Sequence, residues 1–323
     1  MPQIDVLLSV YNVEPYVGDA LKSIRSQTFT DISIIIVDDC STDNTLGLVE
    51  QIASTDQRIR VIRTPHNMGT AEALNYGLQF CDAPFVANMD GDDIALPTRL
   101  EKQLRFLQTN PGIALVGCAT KAIDHFGNLI AGLGISWVPS EQEQVTKTML
   151  LASPCRHVWL ARAEVYSQLR GYRDMRYTED YDFLLRAITF GYRVSNLTEP
   201  LMLIRTHANN KSLAIESRKA HYHIVDLYRE RLKYGKDSFT QEGFARAIQA
   251  GKTEDIAFRL AMSCLKKAAQ ARSYFRRALF TVLSAVLSPL QARYIFDRIR
   301  FRIAMRRPRR ISGSAQLAEQ INR

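Results

Sequence analysis

No stretch of this chain is apolar for long enough to cross a bilayer. The most apolar segment, 278–287, runs for ten residues between Arg276-Arg277 and Pro289, where a spanning helix needs about 20. Cysteine is scarce and odd in number. The five thiols, Cys40, Cys81, Cys118, Cys155 and Cys264, include no CxxC pair and no close Cys/His spacing. That excludes a disulfide scaffold and a structural zinc site, and leaves reduced thiols in a cytoplasmic protein as the expectation. Met1-Pro2-Gln3-Ile4-Asp5 lacks the basic region and small-residue cleavage site of a signal peptide and leads straight into an apolar strand pattern. Repeats and low-complexity tracts are also missing, and 46% hydrophobic with 23% charged residues excludes wholesale disorder. A chain of 323 residues fits one large α/β domain with an appendage, because single cores rarely grow past about 250–300 residues.

Acidic charge is thin in the last third. Up to residue 210 there are 18 basic and 24 acidic side chains, and beyond it 24 basic and 9 acidic, so the net +9 divides into −6 and +15. An acidic body suits metal or catalytic chemistry, and a basic tail suits an anionic partner. The tail interleaves Tyr294, Ile295, Phe296, Ile299, Phe301 and Ile303 with Arg298, Arg300, Arg302, Arg306, Arg307, Arg309 and Arg310. This pattern predicts helices in peripheral contact with anionic lipid on the inner face of the cell membrane. The alternative is a helix packed on the body with its basic face in water. No nucleic-acid reader motif is present, so no nucleic acid is expected as a partner.

The first hundred residues alternate strand and helix patterns: 4–10, 17–26, 32–37, 45–53, 59–63, 70–80 and 85–89. Such alternation predicts a parallel sheet with crossover helices. The run Ile32-Ser33-Ile34-Ile35-Ile36-Val37 is nearly continuous in hydrophobicity, as a strand covered on both faces should be. Chemistry is then expected at the carboxyl ends of the strands. Helical patterns follow at 218–233, 240–250, 254–271 and 273–287.

Carboxylates collect where the strands end. Val37 is followed by Asp38-Asp39-Cys40-Ser41-Thr42-Asp43-Asn44-Thr45, two acids and then a string of capping residues, some of which serve only to start a helix. The strand 85–89 leads into Asp90-Gly91-Asp92-Asp93. Paired carboxylates at this spacing suit Mg²⁺ or Mn²⁺, which fill their remaining positions with phosphate oxygens and water; the plainer alternative is a solvated acidic turn. Between them lies Asn67-Met68-Gly69-Thr70-Ala71-Glu72-Ala73, a glycine opening a helix with small residues on one face. A third cluster, Thr178-Glu179-Asp180-Tyr181-Asp182, packs three acids before an amphipathic run. It offers either a general base or dipole-favoured acids at a helix start.

In their order along the chain, Ser9-Val10-Tyr11-Asn12, the two acidic runs, the glycine-led segment at 67–77, Pro97 with Arg99, the cluster at 178–187 and Arg205-Thr206-His207 together resemble family 2 glycosyltransferases over about the first 210 residues. The resemblance implies a GT-A fold, a Rossmann-like mixed sheet flanked by helices. It divides 1–215 into a nucleotide-binding half, 1–100, and an acceptor-binding half, 101–215, with 216–323 as a helical basic extension. It further implies an inverting, metal-dependent hexosyl- or N-acetylhexosaminyltransferase using a nucleotide-sugar, most often a UDP-sugar. The acceptor would be a glycan or lipid-linked sugar of surface polysaccharide biosynthesis.

By the same resemblance, Ser9, Tyr11, Asp38, Asp39 and Asp90 contact the nucleotide, with Asp39 on the base. Asp90, Asp92 and His207 hold Mn²⁺ or Mg²⁺. Asp180 is the catalytic base, with Glu179 as its alternative. Cys40 departs from the glycine many relatives carry, and a loop shaped differently there is one expectation. Trp137, Trp159 and Tyr172 are either acceptor-stacking or core aromatics, and His157, beside an apolar stretch, is left as a core residue. Two other functions fit in part. A sugar nucleotidyltransferase would share the metal carboxylates but should carry a basic glycine-rich loop, whereas no Lys or Arg occurs before Lys22. A non-catalytic nucleotide- or glycan-binding relative should have lost the carboxylates, all of which are present.

Overall fold

A computed structural model describes residues 1–130, 136, 138–155, 157–206, 214–271 and 273–305. Four parallel strands, β1 (Ile4–Val10), β2 (Ile32–Asp38), β3 (Ile59–Arg63) and β4 (Phe85–Asp90), form one side of a mixed sheet. The crossovers between them are α1 (Glu14–Arg25), α2 (Thr45–Ala53) and α3 (Thr70–Leu78). The rest of the sheet is built from β5 (Ile94–Ala95), β6 (Leu115–Ile123), β7 (Leu160–Arg162) and β8 (Val194–Arg205). Its eight strands run in the order β3-β2-β1-β4-β7-β6-β8-β5. The sheet changes character at the β4–β7 seam, where pairing becomes antiparallel; β6 and β8 then pair in parallel.

Side-chain alternation along the strands divides the core in two. Ile4, Val6, Leu8 and Val10 of β1 pack with α1 and with α4 (Arg99–Thr109) through Val17, Leu21, Ile24, Leu100 and Leu104. Leu7 of the same strand faces the other way, with Ile35 and Val37 of β2. On that side lie α3, α6 (Ala163–Leu169) and α7 (Glu179–Thr189), through Ala73, Leu74, Val165, Phe183 and Leu184. Each Val, Leu, Ile or Phe side chain among these contributes about 1.5–3 kcal/mol on burial. The small-residue face of α3 has a steric cause: a Cβ on Gly77 would lie 2.5 Å from Leu7 Cδ1 and 2.7 Å from Val37 Cγ2.

Beyond the sheet, α8 (Ile215–Tyr234) covers the outer side of α7 through Ile224, Val225 and Tyr228 against Tyr181 and Leu185. The remaining helices are α9 (Gln241–Ile248), α10 (Lys252–Gln270), α11 (Tyr274–Leu287) and α12 (Pro289–Ala304). Phe301 of α12 and Met305 after it pack on Leu151, in the segment after α5 (Gln142–Thr148). Tyr222 of α8 donates to Asp297 of α12 at 3.1 Å. Among the described residues no helix is long and apolar enough to cross a membrane.

Candidate active site at the carboxyl edge of the sheet

Sheet register brings the sequence-predicted residues of the first half to one edge. Ser9 stands between Val37 on one side and Asp90 on the other, and Val10 pairs with Asp38. Tyr11 is exposed just beyond. Asn12 follows in the left-handed region at φ 52°, where its short amide is tolerated. Its Oδ1 accepts from the Thr42 N–H at 2.8 Å, and its own N–H donates to Ser41 Oγ at 3.1 Å. The loops after β1 and β2 are therefore one bonded unit.

The two acids at the end of β2 have work inside the protein. Asp38 is fully buried, accepts the Ser41 N–H at 3.2 Å and lies 3.6 Å from Arg63. Asp39, also buried, accepts from Thr64 Oγ1 at 3.0 Å and from the N–H groups of Met68 and Gly69 at 2.7 and 2.8 Å. It thus fastens the loop that starts α3. A carboxylate has about four acceptor directions, so a further N–H from a ligand can still be received. Cys40 adopts φ 58°, so the turn keeps the left-handed geometry that glycine favours and is not reshaped; its Sγ lies 3.1 Å from the Thr64 carbonyl.

At the end of β4 the carboxylate of Asp90 is about half exposed and that of Asp92 partly so. Gly91 is required by close approach rather than by a positive φ. A Cβ there would lie 2.7 Å from Val10 Cγ1 and 3.2 Å from Val13 Cγ2. Asp93 is buried and accepts the Arg205 N–H at 2.8 Å, while Arg205 Nε donates to the Asp92 carbonyl at 2.8 Å. The turn is clamped by the end of β8. His207 and Trp137 lie outside the described residues. Among the described residues no three His, Cys, Asp or Glu side chains form a metal-holding group. Two carboxylates on one solvent-facing turn nonetheless fit a hard cation that completes its shell with phosphate oxygens and water.

His157 is the functional candidate that sequence reasoning left in the core. Its Nδ1 lies 3.3 Å from Asp90 Oδ1, and its Nε2 lies 3.2 Å from the Tyr172 hydroxyl. A chain of donors leads to it: Trp159 Nε1 to Tyr166 Oη at 2.8 Å, Tyr166 Oη to Asn88 Oδ1 at 2.6 Å, and Asn88 Nδ2 to Tyr172 Oη. The Tyr172 hydroxyl then has its own proton for His157 Nε2, which assigns the Nδ1 proton to Asp90. Burial holds the hydroxyls of Tyr166 and Tyr172 well above the usual tyrosine range, so both keep their protons. Trp159 and Tyr172 are buried in this network and do not present faces to an acceptor. Only their position opposite β4 exposes this role; in sequence His157 is one polar residue before an apolar run.

The third cluster opens α7. Tyr177, just before it, is strained at φ 78°, the kind of cost that persists where surrounding structure enforces it. Glu179 and Asp180 are half-buried at the first turn, and Asp180 Oδ1 accepts the N–H of Tyr181 at 2.7 Å. Burial, reinforced by the charge of Asp180, pushes the Glu179 carboxyl up to about 7. Burial also raises Asp180. Burial alone would push the His157 imidazole down, but the hydrogen bond to Asp90 and the charges of Asp90, Asp180 and Glu179 outweigh it and hold it above its ordinary value. One imidazole therefore senses the acids of both clusters. Asp182, by contrast, is structural. It is fully buried, 2.8 Å from Arg186 Nε, with Arg231 and Arg173 at 3.8 and 3.9 Å.

A mixed sheet of this order, parallel up to β4 and antiparallel at the β4–β7 seam, with acids gathered at one edge, has the GT-A architecture. The sequence model described as glycosyl transferase family 2 matches residues 5–170, just over half of the chain, and the chain belongs to that family. The match ends before α7, so Glu179 and Asp180 lie beyond it. The chain is 29% identical over 247 residues to the amylovoran biosynthesis glycosyltransferase AmsE of Erwinia amylovora, covering 75% of this chain and 88% of that one. Its fold is similar to that of S. aureus TarS 1–349 in complex with UDP-GlcNAc, with a TM-score of 0.61 at 16% identity over 94% of this chain and 89% of that one. It is also similar to the mannosyltransferase PcManGT of Pyrobaculum calidifontis in complex with GDP-Man and Mn²⁺, with a TM-score of 0.56 at 19% identity over 93% and 87%.

Proposed function

We propose that this family 2 glycosyltransferase moves a hexosyl or N-acetylhexosaminyl group, with inversion, from a UDP-sugar to a hydroxyl of a glycan or lipid-linked acceptor in surface polysaccharide assembly. The observation that carries the reading is His157, which touches Asp90 at 3.3 Å and lies within the field of Glu179 and Asp180. Acids assigned by resemblance to the diphosphate side and to the acceptor side thus share one neighbourhood. In this reading Ser9, Tyr11 and Asp39 line the nucleotide, while Asp38, fully buried on the Ser41 N–H, supports their loop rather than touching the ligand. Asp39 offers its one remaining acceptor direction to the base.

Asp90 and Asp92, with His207 from the resemblance, would hold Mn²⁺ or Mg²⁺, which when bound supplies positive charge beside the departing diphosphate. Asp180 takes the proton from the acceptor hydroxyl as its oxygen attacks the anomeric carbon from the face opposite the nucleotide, worth about 10²- to 10⁴-fold in rate. Burial that raises Asp180 makes it a stronger base than an exposed aspartate. Glu179, raised to about 7, is the second candidate for the same task. His157 orients Asp90 from behind.

Thermal unfolding with UDP or GDP, each with and without Mn²⁺, tests the donor side, since ligand at 100 times its Kd stabilises by about 2.7 kcal/mol. Asp92→Asn should lose the metal-dependent part of the shift. Asp180→Asn should keep the nucleotide shift and lose sugar transfer; retained transfer removes Asp180 from the mechanism, and no shift with any nucleotide overturns the reading.

A further inference from the structure

We infer that α11 and α12 together form a docking face for an anionic lipid bilayer. The argument begins with α11, whose polarity is reversed relative to an ordinary surface helix. The side chain it buries is small and polar: Ser284 is fully buried and donates to the Ala261 carbonyl of α10 at 2.8 Å. Its outward side is apolar. Phe275, Leu279, Val282 and Val286 recur at helical spacing on one stripe and are 73%, 44%, 59% and 76% exposed. Leu283 extends that stripe and is 40% exposed. A helix in water places its leucines and valines inward, so a contiguous outward face of this kind marks a surface meant to be covered.

The following helix repeats the pattern with charge added. Phe296, Ile299 and Ile303 of α12 share one outward stripe and are each at least half exposed. Arg293 and Arg300 flank it, and both are exposed. Between residues 272 and 310 the chain has eleven arginines and one acid, Asp297, and Asp297 is buried beneath the face on Tyr222. Outward apolar side chains set among arginines fit a lipid surface with negative headgroups, where insertion and attraction act together. A second copy of this chain is the poorer occupant, because like charges on the two faces would be pressed together. The inference rests on this surface and does not depend on which sugar is transferred.

The placement has a consequence for the proposed reaction. α12 is bonded through Asp297 to Tyr222 of α8, and His221 beside it stacks on Tyr181 with ring centroids 5.0 Å apart. Tyr181 follows Asp180 directly. A bilayer held by α11 and α12 is therefore tied by short contacts to the helix that carries the candidate base, as delivery of a lipid-linked acceptor would require.

The test is sedimentation of the full chain with vesicles of phosphatidylcholine alone or with about one third phosphatidylglycerol. The parent should bind the anionic vesicles and lose binding in high salt. Val282→Ser with Val286→Ser, both on exposed positions, should abolish binding while the nucleotide-induced thermal shift is retained. Arg276→Gln with Arg293→Gln and Arg300→Gln should weaken it by about fivefold per charge removed, roughly a hundredfold in all. Equal binding of parent and serine variant, or no vesicle binding by a parent that still responds to nucleotide, overturns the inference and leaves the transfer reading standing. A dimer in light scattering that the serine pair dissociates, without vesicle binding, assigns the face to a second copy instead.

Discussion

Glu179→Gln is expected to stabilise the protein, and to do so only at neutral and alkaline pH. Burial first, and the charge of Asp180 next, raise this carboxyl from 4.5 to about 7 in the fold. In the unfolded chain it ionises near 4.5. Between those two values the native protein retains a proton that the unfolded chain has already released, so stability falls as pH rises from about 4.5 to about 7 and then levels. At 1.36 kcal/mol per pH unit the loss is about 3 kcal/mol. Glutamine is neutral throughout and so resembles the protonated acid at every pH. The variant should therefore lie within about 1 kcal/mol of the parent at pH 5 and exceed it by about 3 kcal/mol at pH 8. With an unfolding entropy of about 0.7 kcal/mol/K for 323 residues, that is a rise in Tm of about 4–5 °C. Circular dichroism melts of both proteins from pH 5 to pH 8 check it. Parallel pH profiles, or a variant less stable at pH 8, would refute the claim that the fold resists a charge at this position.

Two further substitutions follow from the same geometry. Asp182→Asn removes the carboxylate facing Arg186, Arg231 and Arg173, and breaking a buried pair from one side should cost about 3–5 kcal/mol in urea denaturation; a loss below about 1 kcal/mol would show that the cluster is hydrated. Cys40 sits at φ 58°, so Cys40→Gly should be nearly neutral while Cys40→Val, β-branched in the left-handed region, should cost about 2 kcal/mol. Equal stabilities of the two variants, read from urea midpoints, would mean that the turn relaxes.

The first half of the fold was legible because its signals are local. Near-continuous apolar strands such as 32–37, alternating with helical patterns, place β1 to β4 and α1 to α3 within a few residues of their expected bounds. The helices expected at 218–233, 240–250, 254–271 and 273–287 are likewise found as α8 to α11, but the strands between α4 and α8 were not legible. β7 has three residues, and β8 crosses Pro200 with register shifts against Cys118, Ala119 and Thr120 of β6, so its pairing is set by distant partners rather than by its own pattern. The site divides the same way. The acids stand out at strand and helix ends, whereas His157 acquires its role only by facing Asn88 and Asp90 across the seam. Asp182 reads like its neighbours in sequence and is separated from them only by its arginines. The stretch 278–287 announced its hydrophobicity but not that α11 turns most of it outward, since that depends on how the helix seats Ser284 against α10.

The seam between β4 and β7 also bears on how the chain reaches its native register. Parallel and antiparallel portions of a sheet can align one residue out of step, and such a slip sends every side chain to the opposite face. Here the last paired residues are Ala87 and Leu160, and the next position places Asn88 among Tyr166, Tyr172 and His157. A shifted strand would instead deliver Ala87 or Met89 to a pocket lined with polar hydrogen-bonding groups and leave those groups without partners, each omission costing about 1–3 kcal/mol. Asn88 thus makes the native register at this seam the one that satisfies these groups.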